Sequence, residues 1–353
     1  MRQTTDLRNR TRLEWVDYMK AFGIMAVVLY HTALPHSAKT LVYLFSLPAF
    51  FFTAGMFADS SLSPMEFFRR KTCRLLIPYL IFGILSWGAW VIVARRYGAD
   101  SDTALAWWQP LWGMVVGTSD KLIQNAPLWF LPALVCLEWL WYFINRNCLS
   151  KVWQIAVVIL VAVIGIILGK YHIVLPWGLT AAFFMLPVYW LGNVLAGYLK
   201  RASQAVPVWV WSIVLIIAAG GIAIGYVYNP DIKISVAKTG NVFLFYLTTL
   251  NVIAFILSLA IIVSKIRFAL QLAYHSPMNY IGTITLWILC LHLPFFGFVK
   301  GVALICGVQL SFFETNLGCA TLWATTFLIL VPLIYLGKYI LATIRKNRYI
   351  HSV

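Results

Sequence analysis

The chain has 353 residues, of which 62% are hydrophobic and only 11% charged, with a mean hydropathy of +0.84. An ordinary soluble domain carries about 25% charged residues, so this composition excludes one and indicates a chain that crosses a membrane many times. The formal net charge of +16 would suit a nucleic-acid binder, but the position of the basic residues explains it better.

Ten apolar runs of about 20 residues are long enough to span a bilayer. They fall near 19–37, 40–58, 75–94, 128–145, 152–169, 178–198, 207–228, 241–263, 279–299 and 317–337. The fold class expected is therefore all-α, a polytopic helical membrane bundle of about ten transmembrane helices. An even number of spans puts both termini on one side. The N-terminus, the second, fourth, sixth and eighth connections and the C-terminal tail hold 18 of the 27 Lys and Arg; the other connections hold eight, and Lys20 is the remaining one. By the positive-inside rule both termini are cytoplasmic, and no nucleic-acid partner is needed. The expected organisation is a cytoplasmic N-terminal segment over 1–18, a membrane domain over 19–337 and a basic cytoplasmic tail over 338–353. Asp6, Glu14 and Asp17 precede the first apolar stretch, which fits a retained first span better than a cleaved signal.

The first span, EWVDYMKAFGIMAVVLYHTALP, carries Lys20 at its mouth and His31 deep inside. Ionisable groups in hydrocarbon cost about 2.5 kcal/mol or more on insertion scales, so they persist mainly where they face a partner or a polar cavity. Eleven residues turn a helix through about three full turns, which sets Lys20 and His31 on one face roughly 16 Å apart, with Asp17 placed to pair with the lysine. Taken singly, Lys20 could be snorkelling to headgroups and His31 bonded to a neighbouring helix; their shared face favours function.

The second span contains Pro48 and Gly55 and is expected to bend. The connection after it sets Arg69, Arg70, Lys71 and Arg74 within six positions, ahead of Pro78 and Tyr79. Such a cluster reads as topology, as a contact for lipid headgroups, or as a site for the phosphates of a nucleotide-like donor. The long third connection, 95–127, brings Trp107, Trp108 and Trp112, which read as interfacial anchors or as a surface for sugar rings. Glu138 in the fourth span is the one acid placed well inside a span.

The ninth span repeats the feature of the first. His292 lies 13 residues past Asn279, about 20 Å in, and His31 lies 12 past Met19, about 18 Å in; if the two spans are neighbours, the histidines form a polar pair near mid-membrane. The six cysteines have no CxxC or Cys/His ligand spacing, so no metal site is expected, although Cys306 and Cys319, both expected toward the outer face, could pair with each other. There is no GxSxG, HExxH or P-loop motif. Histidine suits general base catalysis on a hydroxyl, with cations at the inner mouth holding a phosphorylated acyl carrier. The competing class is a proton-coupled exporter or flippase of a sugar or lipid-linked sugar, which would more typically show paired acids and an internal repeat.

WVDYMKAFGIMAVVLYH resembles the opening of the acyltransferase 3 family of membrane acyltransferases, in which a basic residue precedes a histidine by eleven positions, here Lys20 and His31. RRKTCRLLIPY is similar to that family's basic stretch, through Arg70, Arg74, Pro78 and Tyr79. Trp129, Phe130 and Leu131 match its Trp–aromatic–Leu segment, and YIGTITLWILCLHLP its later pattern through Gly282, Thr285, Leu286, His292 and Pro294. Lys20 stands where arginine is common, exchanging a bidentate fork for a point charge, and Trp287 lies near the place of an aromatic, shifted within the pattern.

The resemblance implies an O-acyltransferase of a bacterial inner (plasma) membrane, moving an acetyl or similar group from cytoplasmic acetyl-CoA to a hydroxyl of a cell-envelope carbohydrate or glycolipid. No permanently bound cofactor is implied, and membrane lipids and a homo-oligomer stay open as partners. In this reading His31 is the general base or transient acyl acceptor, with Lys20 and Asp17. Arg69, Arg70, Arg74 and Tyr79 bind the donor, while His292, Glu138, Trp129 and Thr285 line the substrate path.

Overall fold

The computed structural model describes residues 13–95, 105–148, 150–271 and 276–350, with side chains up to Thr343 apart from that of Ala94. Most of segment 1–18, including Arg2, Arg8, Arg10 and Arg12, lies outside the described residues, as does Arg96. The protein is 83% helical, with no strand among the described residues. Among the described residues, nine helices are long and apolar enough to cross a membrane by length and composition, and they coincide with the second to tenth apolar runs. The first run is the exception: its helix, α1 (Glu14–Tyr30), has 17 residues and rises about 25 Å.

α1 is the axis of the bundle. It packs against α2 (His36–Ser46), α3 (Pro48–Met56), α10 (Val242–Ala269), α11 (Pro277–Thr283), α12 (Thr285–Ile305) and α13 (Asn316–Thr325). Trp15, Val16, Tyr18, Met19, Ala21, Ile24, Val27 and Val28 are all buried, which is how a helix enclosed on every side reads.

The second span breaks as its proline requires. Pro48 has no N–H to continue the ladder and starts α3, after Leu47 closes α2 with φ −99° and ψ −38°. A one-turn helix at Pro64–Phe67 and a π-helical turn at Phe68–Thr72 then lead into α4 (Cys73–Ala89). The third connection holds α5 (Gln109–Val116), and Trp107, Trp108 and Trp112 are exposed around it. α6 (Phe130–Asn147), α7 (Lys151–Lys170), α8 (Leu179–Ala205) and α9 (Val208–Tyr228) follow, with Ser150 accepting from the Trp153 N–H to cap α7. α3 and α8 cross closely through Gly55 and Gly192, where any Cβ would collide with the backbone of Tyr189 and Phe52 respectively.

The ninth span is also divided: Ile284 (φ −114°, ψ 16°) separates α11 from α12, and the chain closes with α13 and α14 (Val331–Ile350). All six cysteines are unpaired, Cys306 exposed and Cys319 buried.

Candidate active site

Two cavities meet against α1, and the spacing of its residues explains why. Lys20, Ile24, Val27 and His31 advance by four, three and four positions, one stripe of an α-helix. Lys20, Ile24 and Val27 line a basic cavity of ≈ 240 Å³, whereas Val27 and His31 line a second, of ≈ 270 Å³.

The basic cavity takes its charge from three helices. Lys20 Nζ lies 2.7 Å from Asp17 Oδ1, whose side chain is buried. Lys71 Nζ is 3.4 Å from Glu138 Oε1 and donates to the Phe57 carbonyl at 3.2 Å. Arg74, Thr53 and Thr285 complete the polar lining. Glu138 is 6% exposed, and its Oε2 has no hydrogen-bond partner among the described residues. Three cations against one lining carboxylate leave a mouth suited to an anion.

The four-residue basic cluster divides. The π-helical turn at Phe68–Thr72 widens the helix there, and Lys71 reaches inward while Arg69 and Arg70 stay exposed, outside the cavity lining. Arg70 Nη2 sits 3.5 Å from Glu66 on the surface. Tyr79 is buried and away from both cavities, donating its hydroxyl to the Met114 carbonyl at 2.6 Å, which braces α4 against α5. Nearby, two hydrogen bonds from Ser61 hold the exposed Asp59 carboxyl below the usual carboxylate range.

The histidine cavity is lined by His31, Tyr30, Tyr43, Ser46, Ser119, Asp120, Trp129, Lys233 and Ser235, among others. Tyr43 accepts the Ile234 N–H at 2.7 Å and so fixes the loop that carries Lys233 and Ser235. Burial works to raise the Asp120 carboxyl, but hydrogen bonds from Thr118 and its own backbone N–H, with Lys121 beside it, hold it below the ordinary value. Lys39 Nζ stands 5.2 Å from the Tyr30 ring centre.

His31 does not lie within a helix, as its span suggested; it is the C-cap of α1. A helix end leaves carbonyls without donors, and His31 Nδ1 takes that of Val27 at 2.8 Å. His292 Nδ1 lies 2.9 Å from the Ile288 carbonyl in α12. A carbonyl only accepts, so in the neutral rings Nδ1 carries the proton and the basic lone pair is on Nε2. The two ring centroids are 5.0 Å apart at 61°. His292 is 0% exposed, and its Nε2 has no partner among the described residues.

Asn125 supports this pair and was not anticipated. Pro294 cannot donate to the carbonyl four residues back, which belongs to Cys290, and Asn125 Nδ2 donates to it at 2.9 Å and to Ser86 Oγ at 3.0 Å. Pro294 in the sequence signals the freed carbonyl, though not its partner. Lys71 was passed over for its arginine neighbours, and Lys233 and Ser235 because their loop shows no pattern. Among the described residues no three His, Cys, Asp or Glu side chains gather as metal ligands.

Val27, Leu47, Phe130 and Leu289 line both cavities. This septum stands between the cationic mouth and the imidazole.

A multi-pass helical membrane protein with ionisable side chains lining two back-to-back cavities is what the fold and site define. The family model for the acyltransferase domain, acyltransferase 3, matches residues 13–343. The chain belongs to that family and is a membrane acyltransferase. Comparison with curated proteins and with solved structures found no match.

Proposed function

We propose that the protein transfers an acetyl or similarly small acyl group from acyl-CoA to a hydroxyl of a cell-envelope carbohydrate, across a bacterial inner membrane. The basic cavity receives the donor, its phosphates meeting Lys20, Lys71 and Arg74. The distribution of Lys and Arg supports a cytoplasmic side for that end. The acceptor enters the histidine cavity, among the hydroxyls of Ser119, Ser235, Tyr30 and Tyr43.

His31 Nε2 takes the proton of the acceptor hydroxyl as its oxygen attacks the thioester carbonyl. The new C–O bond forms, the C–S bond breaks, and the proton on His31 passes to the departing thiolate, leaving ester and free CoA thiol. Val27 holds the Nδ1 proton throughout, which keeps Nε2 as the reacting atom. The observation that carries this reading is the stripe on α1, with a cation facing one cavity and an imidazole facing the other.

Purified protein in vesicles, given labelled acetyl-CoA and an envelope glycan extract, is expected to release CoA thiol and label the glycan. Export of the sugar with the thioester left intact would make the protein a transporter and end this reading.

A further inference from the structure

The septum between the cavities poses a problem for the reaction. The donor's nucleotide sits among cations on one side and the base is on the other, so the reacting carbonyl must reach through Val27, Leu47, Phe130 and Leu289. All four side chains are apolar and less than a tenth exposed. Phosphates cannot enter such a dry neck, because an unpaired charge there would lose its hydration. A short hydrocarbon group ending in a thioester can.

We infer that this neck sets which acyl groups are transferred, with Leu47 and Leu289 bounding its width and Phe130 its far wall. The inference rests on the donor side assigned above. Phe130 is not free to swing, since its ring is held edge-on by Phe51 at 5.1 Å and lies 5.9 Å from Phe50. Val27 is one turn before His31 and gives it its carbonyl, so a group that fills the neck presents its carbonyl within a turn of the imidazole. Leu289 is three residues before His292 on α12 and bears on the neck from the opposite helix. Close-packed interiors feel a change of even one methylene, and a pocket that gains or loses one discriminates by roughly 10- to 200-fold.

The test measures kcat/KM for release of CoA thiol along the series acetyl-, butyryl-, hexanoyl- and octanoyl-CoA, in the full chain reconstituted in vesicles. Wild type is expected to prefer the short donors. Leu289→Ala and Leu47→Ala each remove three carbons from the wall, and either should raise the hexanoyl-to-acetyl ratio by at least ~10-fold. Leu289→Phe should act in the opposite sense, losing butyryl transfer before acetyl transfer. Size-exclusion profiles identify folded variants, and if the alanine variants fail to fold, the narrowing variant and Val27→Ala carry the comparison. An unchanged donor profile in folded, active variants overturns the inference while leaving the proposed function standing. A wild-type protein that consumes no acyl-CoA overturns the proposed function instead.

Discussion

His31 and His292 face each other at 5.0 Å between ring centroids, and each has committed its Nδ1 proton to a carbonyl one turn back on its own chain. The basic atoms are therefore both Nε2, set by backbone geometry rather than by a carboxylate. His31 borders a cavity and His292 is sealed, so the first can meet substrate and the second can only act through it. His31→Ala is expected to lower kcat by ~10²-fold or more, the usual range for a general base. His292→Gln should lower it less and leave the donor KM unchanged. Equal losses from the two substitutions would mean the rings act as one unit.

Lys20 and Asp17 form an ion pair in which the acid is buried and the lysine about a quarter exposed. Lys20→Ala leaves Asp17 without this partner, whereas Lys20→Arg keeps a charge in the cavity. Donor KM should rise by roughly 10-fold or more in the alanine variant, as for loss of a charged hydrogen bond worth ~1.5–3 kcal/mol, and far less in the arginine variant. The same KM in both would remove any role for charge at this position.

The division of the basic cluster separates its members by experiment. Lys71→Ala and Arg74→Ala should each raise the donor KM several-fold, and Lys71→Arg should recover part of the loss. Arg69→Ala and Arg70→Ala should change it little, because both side chains lie outside the cavity and the Arg70–Glu66 pair is an exposed one worth at most about 1 kcal/mol. Weakened donor binding from Arg69→Ala alone would show that the donor extends beyond the cavity onto the surface.

Asn125 and Pro294 should be energetically coupled. Asn125→Ala leaves the buried Cys290 carbonyl without its donor, at a cost of ~1–3 kcal/mol. Pro294→Ala returns an N–H to that carbonyl from within the helix. A double-mutant cycle on thermal stability should show the Asn125 substitution costing less in the Pro294→Ala background. Additive losses would contradict the pairing.

Gly282 abuts the backbone carbonyl of Asp17, leaving no room for a Cβ. Gly282→Ala must push α11 away from the start of α1, with an overpacking cost of ~1–3 kcal/mol and displacement of Lys20. A lowered Tm together with a raised donor KM is expected; a wild-type Tm would show that the two helices separate freely.

Much of the site can be read from residue spacing. The eleven-residue step from Lys20 to His31 gave the shared face, and helix rise gave His31 and His292 similar depth, because rise and rotation are fixed by the backbone; that their helices are neighbours was legible only in the fold. The exact ends of helices were not legible: His31 caps α1 instead of lying within it, since the break depends on what accepts the last carbonyls. The inward turn of Lys71 depends on a π-helical widening that no side-chain pattern announces. Asn125 and Lys233 reach the site from loops, where periodicity says nothing.

The placement of α1 also bears on how the protein is made. This helix is short, carries Glu14, Asp17 and Lys20, and precedes α2 to α14 in chain order, yet part of the wall around it comes from α11, α12 and α13, beyond residue 276. α1 is thus made before the helices that finish enclosing it. A chain cut short after α10 would hold its charged end against lipid, and membrane quality control should clear it.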